Sequence, residues 1–245
     1  MLNTKSKNNL TKLFKSINKN DEFEIMFNNY RRDNKLSIVN FMKVLKYMRW
    51  RSDNDNLKLS KNTTLDIVYN YEENNSYRIS ISGNDKINEI LNLIHERKNH
   101  AGFSILITQF LQNDNDITLI KKIKERKHIF DIDEYDIRVR KSKEVPVDNK
   151  FKNNLANLPF SESEKISYRY KNRITLELSK SDPLILDLTI VKSSRDPNKL
   201  HSSDKSYEME IDYSPKKINS NVLKKIVLEM ETIKKVMEES DTIMS

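Results

Sequence analysis

Acidic residues recur at spacing two near both ends of the chain, as Glu22 and Glu24 and as Glu208, Glu210 and Asp212. Successive side chains of a β-strand alternate faces, so each set shares one face of its strand. Between them lie basic sets with the same spacing: Arg138 and Arg140, followed by Ser142, and Arg169, Lys171 and Arg173. Arg78 stands on the polar face of an earlier segment, and Asp187 and Thr189 share a face on a later one. Any one such strand is ordinarily the solvated face of an antiparallel sheet. A solvated face would intersperse its charges, whereas here the signs segregate by strand. Like charges adjacent on a strand face repel. Carboxylate oxygens are hard ligands suited to magnesium or manganese. Arginines and a lysine suit phosphate oxygens. A metal-bound triphosphate meets both needs at once.

Those strands need a scaffold, and periodicity supplies one. Phe23, Ile25 and Phe27 alternate with the acids of 21–27. Residues 64–70 and 76–82 read as a hairpin turning at Glu72–Asn75, and further strands are expected near 116–123, 135–142, 166–178, 184–192 and 205–213. Their opposite faces are apolar, with Ile137 and Val139, Tyr168, Tyr170, Ile174 and Leu176, and Tyr207, Met209, Ile211 and Tyr213. Helical spacing marks 7–19, 36–49, 85–96 and 221–239, the last with Ser220 as its expected cap. The stripe of 36–49 is Ile38, Phe41, Met42, Leu45 and Met48. Residues 103–112 fit strand or helix, and 148–160 and 193–204 read as loops. Closing the sheet would set the first strand beside the last and gather Glu22, Glu24, Glu208, Glu210 and Asp212. The charged faces would then point inward, and the apolar faces outward beneath the helices. The expected class is α+β, an antiparallel barrel with a charged interior and flanking helices.

Composition narrows the chemistry further. The chain has no cysteine, which excludes disulfides, thiolate zinc sites and thiol nucleophiles. Its two glycines cannot write a phosphate-binding or dinucleotide-binding loop. A formal charge of +8 on 245 residues favours polyanionic partners. With no apolar membrane-length run and no signal-like start, a soluble intracellular protein is expected. The basic run from Lys121 to His128 reads as a solvated face with a role in steering nucleic acid. His95, His100, His128 and His201 lack metal-ligand spacing.

Glu22-Phe23-Glu24, Tyr77-Arg78-Ile79-Ser80, Ile137 to Pro146, Tyr168 to Arg173, Asp187-Leu188-Thr189 and Tyr207 to Glu210 occur in an order that resembles the RNA triphosphatase domain of the triphosphate tunnel metalloenzymes, most of all that of mimivirus-type (giant virus) mRNA capping enzymes. The resemblance spans most of the chain. It implies an eight-stranded tunnel that hydrolyses the β–γ bond of triphosphate-ended RNA in the first step of capping, with Mg²⁺ or Mn²⁺ as cofactor. It assigns Glu22, Glu24, Glu208, Glu210 and Asp212 to the metal and Arg78, Arg138, Arg140, Arg169, Lys171, Arg173 and Asp187 to the substrate. Glu210 is the first candidate for orienting the water, with Arg169, Lys171 and Arg173 as catalytic cations. The chain departs from the family at Met26, where relatives carry a base, and at Asp212, where they carry glutamate. The resemblance further implies a single domain over 1–245, stand-alone or the N-terminal part of a longer capping enzyme. Guanylyltransferase and methyltransferase domains would lie in the same or a partner chain, and the location would be the virion or the host cytoplasm. Two alternatives stand beside it: a nucleoside triphosphatase or tripolyphosphatase of the same superfamily, and a non-catalytic RNA-binding subunit. Asp187 and Thr189 also fit a structural role, and Arg138 and Arg140 one in binding RNA backbone outside the tunnel.

Overall fold

The structure, a computed structural model, describes residues 2–19, 21–27, 35–72, 75–96, 117–147, 165–215 and 219–239. The segments 103–112 and 148–160 lie outside them. The strands are β1 (Asp21–Phe27), β2 (Leu59–Glu72), β3 (Asn75–Ser82), β4 (Ile117–Ile132), β5 (Ile137–Pro146), β6 (Ile166–Glu177), β7 (Leu184–Ser194) and β8 (Lys205–Tyr213). They form a closed barrel in the order β1-β5-β4-β3-β2-β6-β7-β8, every pairing antiparallel. The ring closes where β8 meets β1, with Glu24 opposite Asp212 and Met26 opposite Glu210. The expected juxtaposition of the two acidic strands is therefore present.

β4 is longer than the 116–123 strand expected, because its basic stretch continues as strand through a register shift between Lys124 and Ile129. The 193–204 connection holds one 3₁₀ turn, Pro197–Lys199, capped by Asp196. Helices cover the outside: α1 (Thr4–Lys15), α2 (Ile38–Asp55), α3 (Asn84–Glu96) and α4 (Ser220–Glu238). Asn3 and Ser37 cap α1 and α2 through their side chains. For α4 the cap is Asn219, whose side chain accepts from the Asn221 amide, and not Ser220, which is the first helical residue.

The apolar strand faces point outward and are buried by these helices. Under α1, α2 and α4 lie Phe23, Ile25, Phe27, Ile137, Val139, Met209, Ile211 and Tyr213. Phe14 of α1 stacks on Tyr213 and meets Phe23 edge-on, both at 5.6 Å between ring centroids. A second cluster joins Ile87, Ile90 and Leu91 of α3 to Leu65, Ile67, Ile79 and Ile81 of the β2–β3 hairpin. The α2 stripe differs from expectation. Phe41, Val44, Leu45 and Met48 are buried, while Ile38 and Met42 are 54% and 45% exposed. The helix is rotated because Tyr47 and Arg51 both reach Glu229 on α4, which draws the Val44–Met48 side inward.

Met230 of α4 is fully buried in the larger cluster. Met230→Ala should lower unfolding stability by about 2–5 kcal/mol. Urea denaturation would measure it, and a loss below about 1 kcal/mol would mean that α4 does not anchor the barrel.

Candidate active site

The inward faces enclose a cavity of about 130 Å³. Glu22, Glu24, Glu210 and Asp212 form its acidic wall, and Arg78, Lys122, Lys171 and Arg173 face them, with Asp66, Asn62, Thr64 and Ser80 completing the lining. Carboxylate oxygens of Glu22, Glu24 and Asp212 all lie within 4.8 Å of one another. Alternation on β1 and β8 and their pairing register bring this about.

The charges are not as segregated as the sequence suggests. Glu24 holds Arg140 on one oxygen and Lys122 on the other, the latter at 2.8 Å. Lys122 also reaches Glu22 at 2.9 Å. Lys171 is ion-paired to Asp66, Arg173 to Asp187 at 3.1 Å, Arg169 to Glu208 at 2.6 Å, and Arg78 to Glu144 at 3.0 Å. Thr175 donates to Asp187. Arg138 pairs with Asp131, directly opposite it on β4. Glu210 and Asp212 make no ion pair among the described residues. Asp212 Oδ1 is buried with no hydrogen-bond partner.

Proton affinities follow this distribution. Burial would raise Glu24, but Lys122 and Arg140 hold it at about 2. Burial, with Glu24 and Glu208 close by, pushes Glu210 up to about 7 despite Arg173 and Arg140. Burial and then Glu210, Glu24 and Glu22 raise Asp212 well above the usual carboxylate range. Glu22 is also raised, by burial and then by Glu24. Lys171 is lowered by burial in spite of Asp66, and Asp187 is raised by burial in spite of Arg173. Because Glu210 binds its proton more tightly folded than unfolded, protonation stabilises the fold. That contribution is complete below about pH 4.5 and disappears as pH rises through about 7. Melting in EDTA should therefore give a Tm that falls from pH 5 to 7.5, and Glu210→Gln should flatten the slope. A wild-type Tm that does not fall over that interval would contradict this.

Three tunnel residues escaped the sequence reading. Lys122 belongs to the run expected as a solvated basic face, yet it is buried between Glu22 and Glu24. Lys121 and Lys122 are adjacent and take opposite strand faces, so charge alone gives no parity. Asp66 is 1% exposed and accepts from Ser80 at 2.8 Å. Its signal was a lone acid between Leu65 and Ile67, at the same parity as Thr64. Glu144 extends the inward face of Arg138, Arg140 and Ser142 by one step. Arg140 points into the barrel, where the substrate-binding expectation places it and not where the alternative of RNA backbone binding outside would, and Lys141 turns outward to the Ser16 carbonyl and Asp21.

Fold and cavity together define a triphosphate tunnel, a closed antiparallel barrel with its charges inside. The chain is similar to the RNA triphosphatase domain of the mimivirus mRNA capping enzyme. It is 27% identical over 210 residues to the probable mRNA-capping enzyme of Acanthamoeba polyphaga mimivirus, which covers 85% of this chain but 17% of that protein's length. A structure of the RNA triphosphatase domain of the trifunctional mimivirus capping enzyme aligns with a TM-score of 0.71 at 26% identity, over 95% of this chain and 97% of that one. The triclinic structure of the same triphosphatase gives 0.71 at 23%, over 96% and 99%. The S. pombe RNA triphosphatase shares the fold at 13% identity, with a TM-score of 0.56 over 98% of this chain and 96% of that one. No family model matches the chain.

Proposed function

We propose that this chain is a metal-dependent RNA 5′-triphosphatase, releasing the γ-phosphate of triphosphate-ended RNA in the first step of mRNA capping. The observation that carries the reading is the closed tunnel in which Glu22, Glu24 and Asp212 converge opposite Lys171 and Arg173. Relatives of this fold named RNA triphosphatases support the substrate class. The mimivirus enzyme is described as trifunctional, so we place this domain with guanylyltransferase and methyltransferase activities in the same or a partner chain.

The carboxylates fit a hard divalent cation, Mg²⁺ or Mn²⁺. Their oxygens lie within one ion's reach, and Asp212 Oδ1 is buried without another partner. When bound, such a cation neutralises charge on phosphate oxygens. Glu22, Glu24 and Asp212 would hold it. Glu208 is engaged by Arg169 and stands outside that trio. Lys171, Arg173 and Arg78 would grip the phosphate chain and stabilise the charge that develops as the β–γ bond breaks. Arg169 and Arg140 would extend that cationic wall, with Arg138 toward the tunnel end and Asp187 orienting Arg173. Glu210, with an affinity for protons near neutrality, suits taking one from the water whose oxygen attacks the γ-phosphorus. The products are inorganic phosphate and a diphosphate-ended RNA. Met26 lies opposite Arg138 on β5 and Glu210 on β8 and offers no charge to a phosphate, so the cationic contacts fall to the arginines and lysine of the other strands.

A cavity of about 130 Å³ holds a phosphate chain but not a nucleoside, since pockets for drug-sized ligands span about 300–1,000 Å³. Nucleoside contacts would lie at the mouth. Free nucleoside triphosphates and tripolyphosphate would present the same phosphate chain to the same residues and form a second substrate class. Competition decides the ranking: triphosphate-ended RNA should inhibit ATP hydrolysis at concentrations well below the KM for ATP. Inhibition no stronger than by a hydroxyl-ended RNA of the same sequence would favour the small-molecule reading.

A further inference from the structure

Lys122 is buried on β4 with its ammonium shared among three carboxylates: Glu24 at 2.8 Å, Glu22 at 2.9 Å and Glu144 at 3.5 Å. Two of these three belong to the trio whose oxygens converge for a divalent ion. The ammonium and such an ion would therefore draw on the same two carboxylates. They would not serve the site equally, because the ammonium leaves Asp212 Oδ1 without a partner, while a divalent ion held by Glu22, Glu24 and Asp212 would engage that carboxylate as well. The lysine also has somewhere to go. Glu144 sits on the neighbouring strand and already holds Arg78 of the phosphate-facing wall at 3.0 Å. A flexible four-carbon stem carrying a point charge can make that short move, which a planar guanidinium held in a fork could not.

We propose that Lys122 is a resident counter-ion exchanged during loading. It pairs with Glu22 and Glu24 until a divalent cation takes their oxygens, and it then shifts to Glu144, beside Arg78, where its charge faces the phosphate chain. This rests on the metal-dependent reading above. Its consequence is linkage: if cation binding sends a positive charge to the phosphate wall, cation and polyphosphate must each tighten the other's binding. Lys122 is thus a positioning residue that couples the two ligands.

The test is calorimetric titration with Mn²⁺, alone and with imidotriphosphate, a phosphate chain with uncleavable bridges. Lys122→Met should bind Mn²⁺ alone about tenfold more tightly than wild type, the scale of one charge-assisted hydrogen bond no longer to be displaced. Imidotriphosphate should then enhance its Mn²⁺ affinity less than in wild type. Glu144→Gln, which removes the lysine's second position and touches no proposed ligand, should bind Mn²⁺ alone several-fold more weakly. Equal or weaker Mn²⁺ binding by Lys122→Met with a native circular dichroism spectrum would overturn the exchange. If Lys122→Met does not fold, unchanged affinity in Glu144→Gln would overturn it. Asp212→Asn separates the two claims: a wild-type Mn²⁺ affinity in that variant overturns the metal reading itself, and the exchange with it.

Discussion

Glu24→Ala should reduce phosphate release from triphosphate-ended RNA by at least about 10²–10³-fold, the scale of losing one preorganised charged group. Glu24 is 3% exposed and stands at the centre of the site's electrostatics. It faces Asp212 across the β1–β8 seam, holds Arg140 and Lys122, and belongs to the carboxylate trio. Glu24→Gln keeps the shape and removes the charge, so its loss should be of similar size. RNA held outside the barrel would not use this residue. Filter binding should therefore change little, whereas a pure binding module would show no turnover in wild type or variant. Comparable turnover in Glu24→Ala and wild type would remove the acidic wall from the mechanism.

The second large effect is expected opposite that wall. Lys171 is buried and pairs with Asp66, itself 1% exposed and bonded to Ser80 at 2.8 Å. Lys171→Met strands a buried carboxylate and should cost about 3–5 kcal/mol of stability, together with most of the activity. Adding Asp66→Asn removes the stranded charge, so the double variant should regain most of the stability and none of the turnover. Paired urea denaturation and phosphate-release assays separate these outcomes. A double variant no more stable than Lys171→Met would show that Asp66 is not the stranded partner.

Much of this arrangement was legible in the chain because strands write their two faces in alternate letters. Glu22 and Glu24, Arg169 to Arg173, and Glu208 to Asp212 announced an inward face, and Tyr207, Met209, Ile211 and Tyr213 an outward one. The meeting of β1 and β8 follows from closing the sheet on itself, which sets the first strand beside the last. Lys122 was not legible, because Lys121 beside it takes the opposite face of β4 with the same charge, and the register shift after Lys124 breaks the period of the strand. Glu144 and Asp66 were overlooked for a different reason. Each is a lone acid on a strand assigned to bases or to core, and only three-dimensional pairing with Arg78 and Lys171 gives them a role. The exposure of Ile38 and Met42 depends on how α2 is rolled against α4, which the Glu229 contacts of Tyr47 and Arg51 decide and helical periodicity cannot.

Glu210 and Asp212 leave their part of the tunnel's acidic wall without a paired counter-charge among the described residues. Every tunnel cation among Arg78, Lys122, Arg138, Arg140, Arg169, Lys171 and Arg173 has a carboxylate partner, yet these two acids have no ion pair among the described residues. The excess is negative at one wall only. A cation held there and a phosphate chain lying between it and Lys171 and Arg173 would complete the balance.

Release of labelled phosphate from RNA carrying its label at the γ position tests the central claim most directly. The assay runs with Mg²⁺, with Mn²⁺ and with EDTA, on wild type beside Glu24→Ala and Glu210→Ala. The tunnel reading predicts inorganic phosphate as the labelled product, release with at least one of the two metals, none in EDTA, and near-complete loss in both variants. Release that persists in EDTA or in Glu24→Ala, or a folded wild type that releases nothing from RNA with either metal, would contradict it.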